Sequence, residues 1–463
     1  MSVSWLLAAD SLWDLLSRAI SLRDYNTRVV LGGTTMLGIS GGLVGTFLVL
    51  RKRALAADVV SHAALPGIAI AFLVAEKLSA GSGRSTNVLL LGALVSGLMG
   101  MAMTHAIRRW TRIKEDAALA IVLGLFFGLG TALFTVVQQT KTGDAAGLRD
   151  FVFGKTASLV AADVWFIGGI SVVVVCLCCG VFKEFSLLCF DEEFAAARGY
   201  RTSLLDGLLT LLAVTVTLIG LQSVGLLLIV ALLLIPPTSA RFWTNDLRVM
   251  AALAAVFGGV SCAGGVVLSA AFSKLAAGPV IVLTGSALFV VSLVFGRQRG
   301  LWPKWQSQRQ FEQRIGRSDL LRACYELLEP ILGPDQTTPE TLTQFEIDEL
   351  ELSAARQWPS GRFHSLVSTA VRAGLLGESA SGGYQLTLQG ADKACDAVRR
   401  HRLWEIYLLT QTDLDPRLVD RGADGIEHVL DPDQLAELER RLGSESPPGM
   451  PPSPHPIGTA AET

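Results

Sequence analysis

The chain has 463 residues, of which 51% are hydrophobic and only 17% are charged. Residues 1–310 carry a net charge of +9, whereas residues 311–463 carry a net charge of −11. Apolar stretches of about 20 residues, enough for a helix to cross the hydrocarbon, recur through the first part. The composition excludes a protein that is soluble throughout and predicts a membrane domain joined to an acidic soluble domain.

Nine apolar segments are candidate membrane spans, and one of them could be broken or re-entrant, so we predict an all-α polytopic protein with eight or nine transmembrane helices. The segments are residues 27–50, 57–76, 87–107, 117–138, 161–181, 203–219, 222–240, 248–271 and 278–296. The predicted order of domains is an N-terminal segment 1–26, a transmembrane domain 27–297, a polar linker 298–317, a soluble domain 318–443 and a flexible Pro/Ser-rich tail 444–463.

The positions of basic residues predict the topology. Basic clusters lie at residues 51–53, 108–114, 241–248 and 296–305. In a nine-span arrangement all four fall on one side, which the positive-inside rule makes the cytoplasm. We therefore expect a multi-pass protein of the inner (plasma) membrane, with its N-terminus outside and its C-terminal domain in the cytoplasm.

Two ionisable residues stand in the first two turns of the second apolar segment, and Glu76 ends it. Asp58 and His62 are four residues apart and share one face of a helix. Ionisable groups within a span are rare and are usually functional or paired. The pair is either a simple intrahelical pair near the membrane edge or a way-station for a divalent cation, because these ligand types suit Zn²⁺, Mn²⁺ or Fe²⁺. Pro66 and Gly67 follow, and we expect them to loosen the helix and free backbone carbonyls.

A short amphipathic helix is predicted in the loop after the fifth segment. Acidic residues open it, as the helix dipole prefers, and a glycine ends it. It is either an ordinary surface helix or a docking helix for a cytoplasmic partner. Its residues are Asp191, Glu192, Glu193, Phe194, Ala195, Ala196, Ala197, Arg198 and Gly199.

The soluble domain has the outline of a winged helix. Helical segments are followed by a short hairpin at Gly382 and Gly383 and then by a longer helix. Candidate metal ligands follow: His401 and Glu405 stand one turn apart. A second group shares one helical face and could equally be a solvated acidic surface; it comprises Asp420, Asp424, Glu427 and His428.

The stretch LRKRALAADVVSHAALPGIAIAFL, residues 50–73, resembles the signature of permease subunits of the manganese/zinc/iron ABC importer family, with Ala57 where glycine is usual. Residues 190–200, 221–241 and 278–283 continue the resemblance in the same order. It implies that Asp58 and His62 lie on the metal path, and that residues 191–199 form the coupling helix that docks on the ATPase. The implied partners are ABC ATPase subunits, an extracytoplasmic metal-binding protein and a second permease copy or paralogue. The chain itself has no G-x-x-x-x-G-K-[ST] motif, so ATP hydrolysis is expected on a separate subunit.

Residues 318–443 resemble metal-dependent repressors of the diphtheria-toxin-repressor class. The resemblance implies one metal ion at His401, Glu405 and Asp420. It implies a second ion at Asp424, Glu427, His428 and Asp319. Asp420 stands where a histidine is common, and Arg322 stands where some manganese sensors have a glutamate. A cation at residue 322 opposes a second metal, so the first site is favoured over a binuclear one.

DNA binding by this domain is disfavoured. The candidate recognition helix carries only Arg362 and Arg372 as full positive charges, and the domain is strongly acidic. We therefore expect a metal-sensing or dimerising appendage that regulates transport.

The sequence as a whole predicts a permease subunit for a divalent transition metal. The metal is substrate and possible regulatory ligand, with no tightly bound cofactor and no covalent chemistry. The alternatives are a permease for metal chelates such as siderophores, and a membrane-anchored metal-dependent regulator. The choice among Mn²⁺, Fe²⁺ and Zn²⁺, and between homodimer and heterodimer, stays open.

Overall fold

The computed structural model describes residues 24–53, 55–78, 85–139, 159–272, 275–333, 336–356, 358–379, 382–411 and 440. Contacts divide the chain into two compact units, Met1–Lys304 and Trp305–Thr463. The described residues of the first unit are helical apart from short connections. Its helices are α1 (Tyr25–Leu50), α2 (Ala56–Leu78), α3 (Thr86–Trp110), α4 (Glu115–Gln139), α5 (Ala161–Gly180), α6 (Phe182–Phe190), α7 (Glu192–Ala197), α8 (Thr202–Val224), α9 (Leu226–Arg241), α10 (Leu247–Ala271) and α11 (Ala277–Phe295).

The prediction of eight or nine transmembrane helices is confirmed. In the described part of the chain, eight helices are long and apolar enough to cross a membrane, and the shorter apolar helix α9 accounts for the ninth segment. The break between the sixth and seventh segments falls at Gly225, a few residues later than predicted, where φ is 87°. That conformation suits glycine, so the two helices separate at this residue.

Small residues let the spanning helices pack closely. Gly38 of α1 lies so near Gly258 of α10 that a methyl group on either would overlap the other's carbonyl oxygen. Gly67 of α2 approaches Gly92 of α3 in the same way, while Gly130 of α4 packs against Leu65 and Pro66 of α2. Close packing of small residues is a main source of helix association in lipid. As a result α2 is enclosed by α3 and α4 along most of its length.

The remaining elements are α12 (Leu301–Leu332), α13 (Pro339–Leu342), β1 (Glu346–Ile347), α14 (Glu349–Ala355), α15 (Ser360–Arg372), β2 (Leu376–Glu378), β3 (Tyr384–Leu386) and α16 (Leu388–Gln411). The strands form an antiparallel sheet in the order β1-β3-β2, with Ile347 opposite Tyr384 and Gly377 opposite Gln385. Two helices, a strand, two further helices and a two-stranded wing follow one another as in a winged helix, as predicted.

The second unit has its own hydrophobic core. Tyr325 of α12, Phe363 of α15 and Val398 of α16 are almost completely buried in it. The segment 298–317, predicted as a polar linker, is helical from Leu301 onward. Glutamine and arginine are good helix formers, and its Pro303 stands in the first turn, where proline is tolerated.

Candidate metal-ion sites and the charge chain beside them

The structure brings Asp58 and His62 together on α2. Every other residue from 56 to 69 is buried, so these two are the partly accessible side chains of that stretch, with 30% and 17% of their surface exposed. Asp58 lies in the first turn of α2, where a carboxylate interacts favourably with the helix dipole. The helix therefore presents one carboxylate and one imidazole on an otherwise apolar, closely packed segment.

The distance between the two groups fits a shared cation. His62 Nε2 lies 3.4 Å from Asp58 Oδ1, which is longer than a well-formed hydrogen bond. Two ligands with bonds of about 2.1 Å at a tetrahedral angle lie about 3.4 Å apart. The pair is thus spaced as two ligands of one ion would be.

The second ring nitrogen of His62 is also informative. In the described part of the chain, the buried His62 Nδ1 has no hydrogen-bond partner. The ring meets Phe127 of α4 edge to face, with centroids 5.0 Å apart. A buried polar atom without a partner costs about 1–3 kcal/mol and is characteristic of functional sites. The imidazole is held by packing and by Asp58.

Pro66 leaves one backbone oxygen of the same turn without its usual donor. Proline lacks an N–H, so the carbonyl of His62, four residues earlier, loses its helical hydrogen bond. Among the described residues no group of three or more His, Cys, Asp or Glu side chains is assembled as a metal site. Asp58 and His62 thus offer two side-chain ligands, with a backbone oxygen nearby in sequence.

A chain of ion pairs lies next to the start of α2, and we call it the charge chain. Its members, in order of contact, are Glu192, Arg51, Asp206, Arg53, Glu115 and Arg108. Asp206 Oδ1 of α8 is the centre, because it accepts from Arg51 Nη2 at 3.2 Å and from Arg53 Nη1 at 2.6 Å. Lys52 between them has φ 59°, a tight turn that lets both arginines reach one carboxylate.

The charge chain extends from Asp206 in two directions. Arg51 Nη1 donates to Glu192 Oε2 of α7 at 2.9 Å. On the other side Arg53 pairs with Glu115 of α4, and Arg108 Nη1 of α3 lies 3.0 Å from the same carboxylate. Burial opposes the charge of Arg51, but hydrogen bonds to Glu192 and Asp206 outweigh it and raise its pKa. The turn before α2 is therefore tied to the ends of four other helices.

A cavity of about 360 Å³ adjoins the charge chain. Arg53, Arg108, Glu115 and Asp206 line it together with His105. Sequence reasoning missed Asp206 and Glu115. Asp206 carried a usable signal, since it is a lone carboxylate in the apolar segment 203–219.

The predicted short helix at residues 191–199 is present as α7. Asp191 caps it, with Oδ1 accepting from Phe194 N at 2.8 Å, and the chain leaves the helix at Gly199 with φ 87°. Phe194 is 46% exposed, and its ring is covered on one side by the guanidinium of Arg198. An exposed aromatic ring on a short capped helix is a surface suited to a protein partner.

In the second unit the structure brings together His401 and Glu405, as the one-turn spacing predicts. His401 Nε2 lies 3.4 Å from Glu405 Oε1, and the side chains are only 6% and 4% exposed. Asp319 lies half-buried on α12. The remaining predicted ligands, Asp420, Asp424, Glu427 and His428, lie outside the described residues.

Arg322 bears directly on whether a metal fits at His401. The buried guanidinium of Arg322 places Nη1 2.6 Å from His401 Nδ1. A guanidinium only donates, so Nδ1 must accept, and the hydrogen of the neutral ring is on Nε2, facing Glu405. Neither ring nitrogen then has a lone pair for a metal. The residues present do not fit a metal ion at His401.

Comparisons with known proteins agree with this division of the chain. Residues 23–296 match the ABC 3 transport family, and residues 387–452 match the iron dependent repressor, metal binding and dimerisation domain. The manganese transport system membrane protein MntC of Bacillus subtilis is 34% identical over 441 residues, covering 94% of this chain and 93% of its own length.

Two further relatives each match about three fifths of the chain. The zinc transport system membrane protein TroC of Treponema pallidum is 44% identical over 287 residues, covering 62% of this chain and 94% of its own length. The solved structure of PsaBC from Streptococcus pneumoniae in complex with Fab has a TM-score of 0.54 and 28% identity, covering 63% of this chain and 99% of that chain. With a family match over more than half its length, joined to a repressor-type domain, the chain is a multi-pass membrane protein that belongs to the ABC 3 transport family.

Proposed function

We propose that this permease subunit imports a bare divalent transition-metal ion, Mn²⁺, Zn²⁺ or Fe²⁺, along a path that passes Asp58 and His62. The observation that carries the proposal is the pair itself, two groups 3.4 Å apart that alone remain accessible on a buried stretch of α2. The names of the relatives, a manganese and a zinc transport protein, support the class of cargo. A metal chelate needs no such inner ligands, so the bare ion is favoured over a siderophore.

The ligand set suits passage rather than storage. A conducting site must bind well enough to admit an ion and weakly enough to release it. Asp58 and His62 supply two ligands, fewer than the four of a structural zinc site, and water or a backbone oxygen completes the shell. The His62 carbonyl, freed by Pro66, is the backbone oxygen best placed along the chain. Release then needs the breaking of only two bonds to side chains.

Energy for transport comes from a partner. We place the docking surface for an ABC ATPase on α7, where Phe194 is exposed. The charge chain links Glu192 of α7 through Arg51 and Asp206 to the turn that starts α2. A shift of α7 on ATP binding would therefore move the start of α2, the helix that carries Asp58 and His62. The chain itself carries out no covalent chemistry.

The remaining parts of the assembly follow from the same arrangement. We place α7, the charge chain with its basic turn 51–53, and the C-terminal domain on the cytoplasmic side, in line with the positive-inside rule. An extracytoplasmic metal-binding protein delivers the ion, and a second permease copy or paralogue completes the pathway. The C-terminal domain is a dimerising appendage that regulates transport, and metal binding at Asp420, Asp424, Glu427 and His428 stays a prediction.

Uptake by the assembled transporter tests the proposal. The permease, its ATPase and its binding protein are reconstituted in vesicles, and uptake of free Mn²⁺ and Zn²⁺ is compared with that of a ferric siderophore. We expect uptake of a free ion, abolished by Asp58→Ala and by His62→Ala. Asp116→Asn, which removes an exposed carboxylate of α4, is the matched control and should transport normally. Uptake of the siderophore alone, or full transport by both alanine variants, would contradict the proposal.

A further inference from the structure

We propose that Arg322 is a built-in cation of the repressor-like domain, residues 318–411, and that it takes the place a metal ion would need at His401. The domain then holds α12 against α16 without metal. This inference goes beyond the proposed transport function and does not depend on it. It concerns described residues only and leaves the ligands predicted at 420–428 aside.

The Arg322 guanidinium lies between two helices. Arg322 is 2% exposed, and its Nη1 lies 2.6 Å from His401 Nδ1, so it bridges α12 to α16. The described ligands predicted for the first ion, His401 and Glu405, both lie on α16, whereas Asp319 of α12 was predicted for the second ion. Arg322 thus reaches the first predicted site from the neighbouring helix and occupies a ring nitrogen of His401.

Carboxylates already surround the Arg322 guanidinium. Glu326 Oε1 lies 3.1 Å from Arg322 Nε, as an ion pair without hydrogen-bond geometry. Arg356 Nη2 lies 3.4 Å from the other oxygen of Glu326. Glu405 stands beside His401, almost completely buried. The Arg322 guanidinium already balances Glu326 and lies against His401, whereas adding a divalent ion would place two like charges next to each other in a site of low dielectric.

The hydrogen bond from Arg322 also fixes which ring nitrogen of His401 carries the hydrogen. Because Arg322 can only donate, His401 Nδ1 is an acceptor and Nε2 carries the ring hydrogen. For a metal to bind, the arginine would have to leave a buried pocket, and a buried charge without a partner costs several kcal/mol. The packed state of the domain is therefore the metal-free one.

A second arginine reinforces the same packing. Arg402 of α16 is 4% exposed, and its Nη1 donates to Glu329 Oε1 of α12 at 2.9 Å. Its guanidinium also lies over the ring of Tyr325, 5.8 Å from the centroid. Two buried arginine links therefore join α12 and α16, and both are independent of metal concentration.

Counting bound Mn²⁺ on the full-length chain tests the inference. The chain is purified in detergent, Mn²⁺ alone is the probe, and bound ions are counted by electron paramagnetic resonance. Wild type and His401→Gln should bind the same number of ions. If wild type binds one ion more than His401→Gln, His401 is a metal ligand and the inference is overturned.

A second variant tests the role of the guanidinium itself. Arg322→Glu should bind about one more Mn²⁺ than wild type, and adding His401→Gln should remove that gain. Arg402→Gln, which loosens the same pair of helices at another point, is the matched control and should leave the count unchanged. A folded Arg322→Glu chain that gains no ion overturns the inference. Should that variant fail to fold, the comparison of wild type with His401→Gln decides.

Discussion

Two histidine–carboxylate pairs stand in the two halves of this molecule with the same spacing and the same geometry. In each, the residues are four positions apart on one helix, and Nε2 lies 3.4 Å from a carboxylate oxygen. They differ in what meets the other ring nitrogen. His62 Nδ1 has no hydrogen-bond partner among the described residues, whereas His401 Nδ1 lies 2.6 Å from the Arg322 guanidinium. Sequence spacing alone cannot distinguish a cation path from a pair held by an internal arginine.

The two pairs also differ in how much of their surface is exposed. Asp58 and His62 are 30% and 17% exposed, so part of each side chain is left uncovered by the rest of the described chain. His401 and Glu405 are 6% and 4% exposed and have a positive charge beside them. A cation needs both access and an unpaired ligand. We therefore propose the membrane pair, and not the soluble pair, as the place where a cation binds.

The largest effect is expected at the membrane pair. Asp58→Ala or His62→Ala removes one of the two side-chain ligands, and metal uptake should fall by at least about 100-fold. Initial rates of Mn²⁺ uptake into vesicles containing the full transporter measure this. His401→Ala is the matched change in the other half, and its uptake should stay close to that of wild type. An equal loss of Mn²⁺ uptake in His401→Ala would show that the two pairs do not differ in their role in transport.

The next effect is on stability. Arg322→Ala removes the buried guanidinium that pairs with Glu326 and bonds His401, at a cost of about 3 kcal/mol. The unfolding transition of the repressor-like domain should fall by about 10 °C or more, measured by calorimetry on the full chain. Arg356→Ala, at a more exposed pair with Glu326, should cost less than about 1 kcal/mol. An Arg322→Ala domain that unfolds at the wild-type temperature without metal would contradict the structural role assigned to Arg322.

A smaller effect is expected in the charge chain. Asp206→Asn leaves Arg51 and Arg53 without their shared carboxylate, a loss of about 1–3 kcal/mol at the turn that begins α2. We expect uptake per ATP hydrolysed to fall by about 10-fold, because α7 no longer moves with α2. The control is Asp116→Asn, at an exposed carboxylate of α4 that is not a member of the charge chain. If uptake per ATP hydrolysed is unchanged in Asp206→Asn, the charge chain has no part in coupling.

The smallest effect concerns the aromatic neighbour of His62. Phe127→Leu removes an edge-to-face contact worth about 0.5–1.5 kcal/mol, so the imidazole is held less firmly. The Mn²⁺ concentration giving half-maximal uptake should rise by about 2- to 10-fold with little change in maximal rate. Leu125→Ala, at an exposed apolar side chain of the same helix, should behave as wild type. An unchanged half-saturation in Phe127→Leu would mean that Asp58 alone orients the ring.

Much of this architecture follows from local sequence pattern. Apolar length predicted the spanning helices, and the acidic start and final glycine predicted α7, because both depend on neighbours along the chain. The pairing of Asp58 with His62 also follows from helical spacing. These features need no knowledge of which helices pack together.

The features that were missed depend on contacts between distant residues. Asp206 meets Arg53 across 153 positions, and no local pattern indicates that partner. Arg322 was recognised as a charge opposed to a metal, but its bond to His401 spans 79 positions. Only the packing of α12 against α16 puts that guanidinium on the ring nitrogen, so the sequence left a metal at His401 as the expectation.

Pulsed electron paramagnetic resonance of Mn²⁺ bound to the full-length chain tests the central claim in one measurement, because a coordinated imidazole nitrogen couples to the metal electron spins. The account predicts a nitrogen coupling that is lost in His62→Gln and retained in His401→Gln. A coupling that survives His62→Gln and disappears in His401→Gln would contradict it.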